Sequence, residues 1–288
     1  GDAKLTVKDV KKTPKGYYVH NCVLENGMVQ VGQEAKACVS RGRRSAIARN
    51  HTGAHLLQAA LREVLGNHVH QAGSYQDDER LRFDFTHFSA MTPEELALVE
   101  HIVNQKIFEA LDVTVRTMPI SEAKKMGAMA LFGEKYGDEV RVVDINGWST
   151  ELCGGTHVTN TAQVGCFKIV GESSVAAGVR RIEAVTGLAF ISMVDEMNMR
   201  IMKVAEALKT TPGELIAKAQ SSMAEIRELH QTIEKMKDKV FAGDVDNLMF
   251  SAKKVGELKV VTAVRQGTDA NDLRKLGDFL RDKDASIV

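Results

Sequence analysis

Residues 45–65 read SAIARNHTGAHLLQAALREVL. Ile47, His51, Ala54, Leu57, Leu61 and Leu65 recur at spacings of three and four, which returns them to one face of an α-helix. Gly66 and Asn67 follow as terminators. On the C-terminal side the period changes. HVHQAGSY (68–75) is extended, and LRFDF (81–85) alternates as a strand. Thr92-Pro93-Glu94-Glu95 supplies an N-cap, a first-turn proline and a capping-box glutamate for a second helix running to about Leu111. DVTVRTMPI (112–120) reads as a strand, Ser121 as the cap of a short helix, and EVRVVDI (139–145) as another strand. GCFKIV (165–170) and GVRRIEAVTG (178–187) complete the set. Helices spaced irregularly among antiparallel strand patterns predict an α+β fold rather than a doubly wound sheet.

Outward from this body, residues 1–43 form a small β unit, read from KLTVKDV, GYYVHNCVLENG and VQVGQEAKACV. Residues 1–50 carry ten Lys/Arg against four Asp/Glu, a local excess of six; clusters at Lys11, Lys12, Lys15 and at Arg41, Arg43, Arg44 suit either a solvated face or phosphate contacts. Beyond Gly187 strands vanish and Met, Ala, Glu and Lys dominate. After Thr211-Pro212-Gly213, the series Leu215, Ala219, Ser222, Ile226, Leu229, Ile233, Met236, Val240 keeps a strict four-three alternation, a coiled-coil seam. It needs a partner, either a returning helix such as 188–208 or a second chain. LKVVTAV, TDANDLRKLGDFLRDK and ASIV then read β, α, β, with Thr268 or Asp269 as the helix cap. The expected divisions are 1–43 (β-rich unit), 44–187 (α+β body), 188–243 (helical hairpin or coiled coil) and 244–288 (start of a further α/β domain). The chain opens on Gly1 and stops inside an incipient strand, so it reads as a piece of a longer protein.

Composition bounds the function. In 288 residues, 38 basic and 38 acidic side chains cancel, so no global field draws the chain to nucleic acid or anionic membrane. Hydrophobic content of 44% suffices for a packed core. No apolar run reaches the roughly 18–20 residues of a membrane span, and no hydrophobic signal core is present. Four cysteines at spacings of 16, 115 and 13 make no disulfide framework, which fits a reducing, cytoplasmic setting.

The chemistry gathers in two short stretches. His51-Thr-Gly-Ala-His55 puts two imidazoles one helical turn apart, able to grip one ion. Cys153-Gly-Gly-Thr-His157 offers a thiolate and an imidazole on a loop made tight by two glycines. Together His51, His55, Cys153 and His157 present N, N, S and N, a set that favours Zn²⁺ over Mg²⁺ or Ca²⁺. Thr52 stands where a zinc protease carries its general-base glutamate. The His-x-Glu and Pro-Cys-x-x-Cys pair of nucleobase deaminases does not occur. Peptide hydrolysis and deamination are therefore disfavoured, whereas a structural zinc stays open.

His51-x-x-x-His55, Gln71-x-Gly-Ser74, Arg82-Phe-Asp-Phe85, Cys153-Gly-Gly-Thr-His157 and Gly178-Val-Arg-Arg-Ile-Glu183 occur in an order that resembles the editing domain of alanyl-tRNA synthetases. That domain is related to the editing domain of threonyl-tRNA synthetases and to free-standing AlaX-type editing proteins. The resemblance covers residues 1–187; residues 188–288 resemble, less specifically, the family's helical oligomerisation segment and the start of its C-terminal tRNA-binding domain. It implies a zinc-containing editing domain that hydrolyses the aminoacyl ester of Ser-tRNA(Ala) and Gly-tRNA(Ala). The implied partner is tRNA(Ala) carrying serine or glycine, with a homo-oligomer through 188–243 and no membrane. By motif match Cys153, Gln71 and Thr52 are the catalytic candidates, with Thr52 and Gln71 as readers of the serine hydroxyl. Gly154, Gly155, Thr156 and Arg180 are the substrate-binding candidates: the two glycines through backbone N–H groups toward an oxyanion, Arg180 toward the terminal nucleotide. Two rivals stay open, a free-standing AlaX-type protein and a non-catalytic zinc-stabilised RNA-binding or oligomerisation module. Leu131–Tyr136, apolar for a loop, is expected to pack in the core.

Overall fold

A computed structural model describes residues 3–129, 136–264, 266–268 and 270–287. The chain divides into two units, Gly1–Ser192 and Met193–Val288. The expectations for Leu131–Lys135 and for Asp269 as a cap fall outside the described residues.

The first unit opens with an antiparallel hairpin of β1 (Lys4–Lys12) and β2 (Tyr18–Asn26). The third strand expected over 29–39 is not formed. Gly32, at φ 84°, and a Gln33 N–H to Gln30 carbonyl bond turn the chain there instead, and a turned backbone cannot present a ladder edge. Helix α1 (Arg41–Leu65) starts four residues earlier than its apolar face suggests, because the Ser40 hydroxyl caps it by accepting from Arg43 N–H. Gly66, at φ 108°, ends it.

Then follow β3 (Gln71–Gln76), β4 (Leu81–Thr86), α2 (Pro93–Phe108), β5 (Val113–Pro119), α3 (Ile120–Lys125), β6 (Glu139–Ile145), β7 (Ser149–Leu152), β8 (Phe167–Ala176) and β9 (Val179–Thr186). The Thr92–Glu95 capping box forms as expected, with reciprocal bonds of 3.1 and 2.8 Å. Helix α2 stops at Phe108 rather than Leu111, where Ala110 enters the left-handed region at φ 53°. Ser121 lies inside α3 and caps nothing; the Ile120 N–H is already taken by the Asp138 carbonyl. Strand β7 went unread from the sequence, although Asn146-Gly147 marks it: both sit at positive φ, and Trp148 N–H closes the turn on the Ile145 carbonyl at 2.9 Å.

The body holds two antiparallel sheets, one ordered β3-β4-β9-β8 and one ordered β5-β6-β7. Phe83 and Phe85 of β4, Ile182 of β9 and Phe167 of β8 form one core with Leu56, Leu57 and Leu61 of α1 and Val99 and Val103 of α2. Helix α1 lies close on the first sheet because Gly53 has no side chain. A Cβ there would stand 3.2 Å from both Leu81 and Thr186. Buried polar groups pin the register: Asn50 donates to the Asp77 carbonyl at 2.8 Å and accepts from the Thr186 hydroxyl at 2.6 Å. Phe83 is 1% exposed, so Phe83→Ala is expected to cost about 3–5 kcal/mol. Denaturant titration of the tertiary signal checks this; a change below about 1 kcal/mol would contradict the packing.

Helix α4 (Gly187–Ala207) runs from the first unit into the second. In the second unit α5 (Leu215–Phe250) is continuous across the boundary expected at 243/244. There Phe241, Val245 and Leu248 pack with Leu276 and Leu280 of α6 (Ala270–Asp282). Between them β10 (Lys253–Val255) and β11 (Leu258–Val260) form a hairpin, and Ile287 bridges Val260 in parallel, as the β-α-β reading requires. The four-three stripe of α5 is exposed at Ile226, Leu229, Ile233, Met236 and Val240. No helix among the described residues is long and apolar enough to cross a membrane.

Candidate metal centre

Helix α1 delivers His51 and His55 from one face, and the loop that leaves β7 delivers Cys153 and His157. The ring centroids of His51 and His157 are 4.3 Å apart, and those of His55 and His157 are 4.5 Å apart. Cys153 Sγ lies 3.4 Å from His51 Nε2 and 3.4 Å from His157 Nε2. One donor atom from each of the four residues falls within 4.8 Å of every other. A tetrahedral zinc with Zn–S near 2.3 Å and Zn–N near 2.05 Å separates its S and N ligands by roughly 3.5 Å. The sulfur–nitrogen spacings match that figure, so the donor set fits the ion.

Electrostatics agree with the geometry. Burial, then the nearby Arg141 charge, lowers His51 to about 4. Burial, then His51 and Arg141, lowers His157 to about 3. Burial first, with the neighbouring imidazoles and Arg141 adding to it, holds His55 well below its ordinary value. All three rings are neutral at pH 7 and carry a free lone pair, the form a metal takes. Burial also pushes Glu151, beside His55, up to about 8 against the Ser149 hydrogen bond and the Arg62 charge.

The supporting groups explain the local sequence. Thr52 is wholly buried, accepts Val158 N–H at 3.2 Å, and places Oγ1 3.1 Å from His157 Nδ1. With Nδ1–H donating to that oxygen, Nε2 faces the centre as a lone pair. Thr52 Oγ1 thus serves His157 and the loop backbone, and Thr52 is not among the residues that line the cleft described below. Gly155 N–H donates to Cys153 Sγ at 3.5 Å. A Cβ on Gly155 would fall 2.0 Å from His51 Cε1, whereas one on Gly154 would meet nothing within 4 Å. Arg141 donates from Nη1 to the Cys153 carbonyl at 2.6 Å and accepts Cys153 N–H on its own carbonyl at 3.0 Å, which fixes the loop to β6.

A cleft of about 530 Å³ opens on this cluster. Gln71, Ser74 and Gln76 of β3 form a polar wall, joined by Tyr136, Arg141, Gly154 and Gly155. The sequence singled out Gln71 but passed over Gln76 and Arg141; alternation along β3 places Ser74 and Gln76 on the same side. Arg180 does not line the cleft. It makes a two-point pair with Glu172 across the β8–β9 ladder, through Nε to Oε1 and through Nη2 to Oε2 at 2.7 Å. Its neighbour Arg181 is likewise held by Asp84 at 2.7 and 2.8 Å. Both guanidiniums pair within the sheet. Thr156 is half-buried and is not among the lining residues.

Residues 140–183 match the family described as the threonyl and alanyl tRNA synthetase second additional domain. The chain is homologous along nearly its whole length to alanine–tRNA ligases. It is 50% identical over 286 residues to that of Acetivibrio thermocellus, covering 99% of this chain and 32% of the relative. The figures are 47% over 282 residues for Geobacillus thermodenitrificans, covering 98% and 32%. For Bacillus velezensis they are 45% over 286 residues, covering 99% and 33%. The chain thus spans about a third of the length of the curated relatives it matches.

Proposed function

We propose that this chain, homologous to a stretch of alanine–tRNA ligases, is a proofreading hydrolase that cleaves the aminoacyl ester of Ser-tRNA(Ala) and Gly-tRNA(Ala). The observation that carries the reading is the convergence of His51, His55, Cys153 and His157, with His51, His55 and Cys153 lining a cleft that Gln71, Ser74 and Gln76 wall. The likeness to alanine–tRNA ligases supports it. The need is physical. A pocket sized for alanine cannot exclude the smaller glycine and rejects serine poorly, because one added hydroxyl is a small difference. A second site that offers polar partners to that hydroxyl leaves them unpaired when alanine is bound, at about 1–3 kcal/mol per group.

Zinc, held by His51, His55, Cys153 and His157, would supply Lewis-acid polarisation. The protein's own groups supply the rest. Gln71 offers the serine hydroxyl both an acceptor and a donor, and Ser74 and Gln76 extend that wall, linked to each other by a 2.9 Å bond. Gly155 N–H points to the Cys153 sulfur, which leaves Gly154 N–H as the loop's donor for a developing oxyanion. Arg141 holds this loop in place, and Thr52 orients His157. An aminoacyl ester is already labile, so positioning of this kind contributes much of the rate. The cleft volume lies within the range of small-ligand sites, enough for the charged 3′ end rather than a duplex. Residues 188–243 serve as a homo-oligomer contact through the exposed α5 stripe, and the setting is cytoplasmic.

Deacylation of Ser-, Gly- and Ala-tRNA(Ala) by the zinc-loaded chain tests the reading. Ser-tRNA(Ala) should be cleared about 5–150-fold faster than Ala-tRNA(Ala), the rate equivalent of 1–3 kcal/mol. Hydrolysis no faster than the spontaneous rate would leave a non-catalytic zinc module.

A further inference from the structure

We infer that Glu151 is the positioning residue that makes His55 a metal ligand, and that Ser149 holds Glu151 for that task. The inference rests on the metal centre described above and extends it to a residue outside the four donors. Within it, His55 differs from its neighbours. Its ring is buried, and among the described residues its Nδ1 has no hydrogen-bond partner. Glu151 Oε2 lies 3.6 Å from it. Glu151 is itself buried, and its other oxygen accepts the Ser149 hydroxyl at 3.0 Å; Ser149 is buried too. Ser149 and Glu151 are two apart on β7, so both side chains leave the same face of the strand.

A buried imidazole nitrogen without a partner costs free energy, and the fold places one carboxyl oxygen just outside bonding range of it. When Nε2 gives its lone pair to a cation, the ring becomes more positive and Nδ1–H a stronger donor. Shortening the 3.6 Å separation to hydrogen-bond length then couples ring orientation to metal uptake. His157 already has the corresponding partner in Thr52. Ser149 occupies Oε1 and leaves Oε2 aimed at the ring. Ser149, Glu151 and His55 thus form one line of support, and Thr52 and His157 form another.

Metal affinity tests this without recourse to catalysis. The full chain, stripped of metal, is titrated with Zn²⁺ in competition with a chromophoric chelator, and in parallel with Co²⁺ to follow its thiolate absorption. The wild-type chain should take up one equivalent. Glu151→Gln keeps the size of the side chain and can still accept from Ser149, so a packing role would survive it. It should nevertheless bind zinc about 10–100-fold more weakly, the usual effect of removing such a partner, while the Co²⁺–thiolate band persists. Glu151→Asp restores the carboxyl group with shorter reach and should fall between the two. Glu151→Gln affinity within about threefold of wild type would overturn the assignment while leaving the metal centre intact. No metal uptake by wild type would overturn both. Should Glu151→Gln fail to fold, Ser149→Ala gives the second measurement: weaker zinc binding supports the assignment, and unchanged binding overturns it.

Discussion

A Cys153→Ala chain is expected to bind tRNA(Ala) normally and to leave Ser-tRNA(Ala) uncleared, with a loss of at least about a hundredfold. The sulfur is the hub of the cluster: it is the atom 3.4 Å from both His51 Nε2 and His157 Nε2, and it takes the Gly155 N–H. Removing it deletes a direct donor to the ion, which should exceed the 10–100-fold effect of losing a supporting group. It also frees Gly155 N–H from its present partner, so the loop loses an internal restraint. Few core contacts go with it, since Cys153 only packs at the edge of the main core. Deacylation measured beside a tRNA-binding titration separates chemistry from recognition. Wild-type clearance by the alanine variant would refute the proposed site.

Gly155→Ala should be nearly as damaging, for a steric reason. The added methyl would stand 2.0 Å from His51 Cε1 and 2.3 Å from its Nδ1, far inside contact. Either the ring or the loop must move, and both carry donors. Gly155 is not in the left-handed backbone region, so the effect is contact alone. Overpacking of this kind costs about 1–3 kcal/mol, which corresponds to about 5–150-fold in zinc affinity. Gly154→Ala is the control, since its Cβ meets nothing within 4 Å, and zinc affinity should stay within about threefold of wild type. Competition titration of the two variants reads the difference directly. Equal affinities would show that the loop tolerates the displacement this contact demands.

Much of this site was legible before folding was considered. His51 and His55 repeat at one helical turn inside a strongly periodic apolar pattern, and periodicity survives translation into structure. Cys153 and His157 are close in sequence with two glycines between them, a local constraint as well. Thr52 shows the limit. By motif it belongs beside Gln71, yet residue 52 lies one helical step from residue 51, and 100° of rotation takes its side chain under the loop rather than into the cleft. Arg180 shows another: its motif match suggested a nucleotide, whereas Ser174 faces it across the ladder and Glu172, two residues away, pairs it diagonally. Strand β7 was hidden by its four-residue length, too short for alternation to register. The continuity of α5 across 243/244 was not legible either, since its packing there is against α6, a contact between distant stretches.

Local order was enough to fix the α+β character, the helix bearing two histidines, the capping box and the four donor residues, because each depends on neighbours within a turn or a short loop. Only three-dimensional folding decided which donors meet, at what spacing, and which buried groups steady them. Those outcomes depend on pairs separated by a hundred residues or more, such as Cys153 with His51 and Thr52 with His157. No periodicity encodes such a distance; it is set by how tightly α1 packs on its sheet, down to the missing side chain of Gly53.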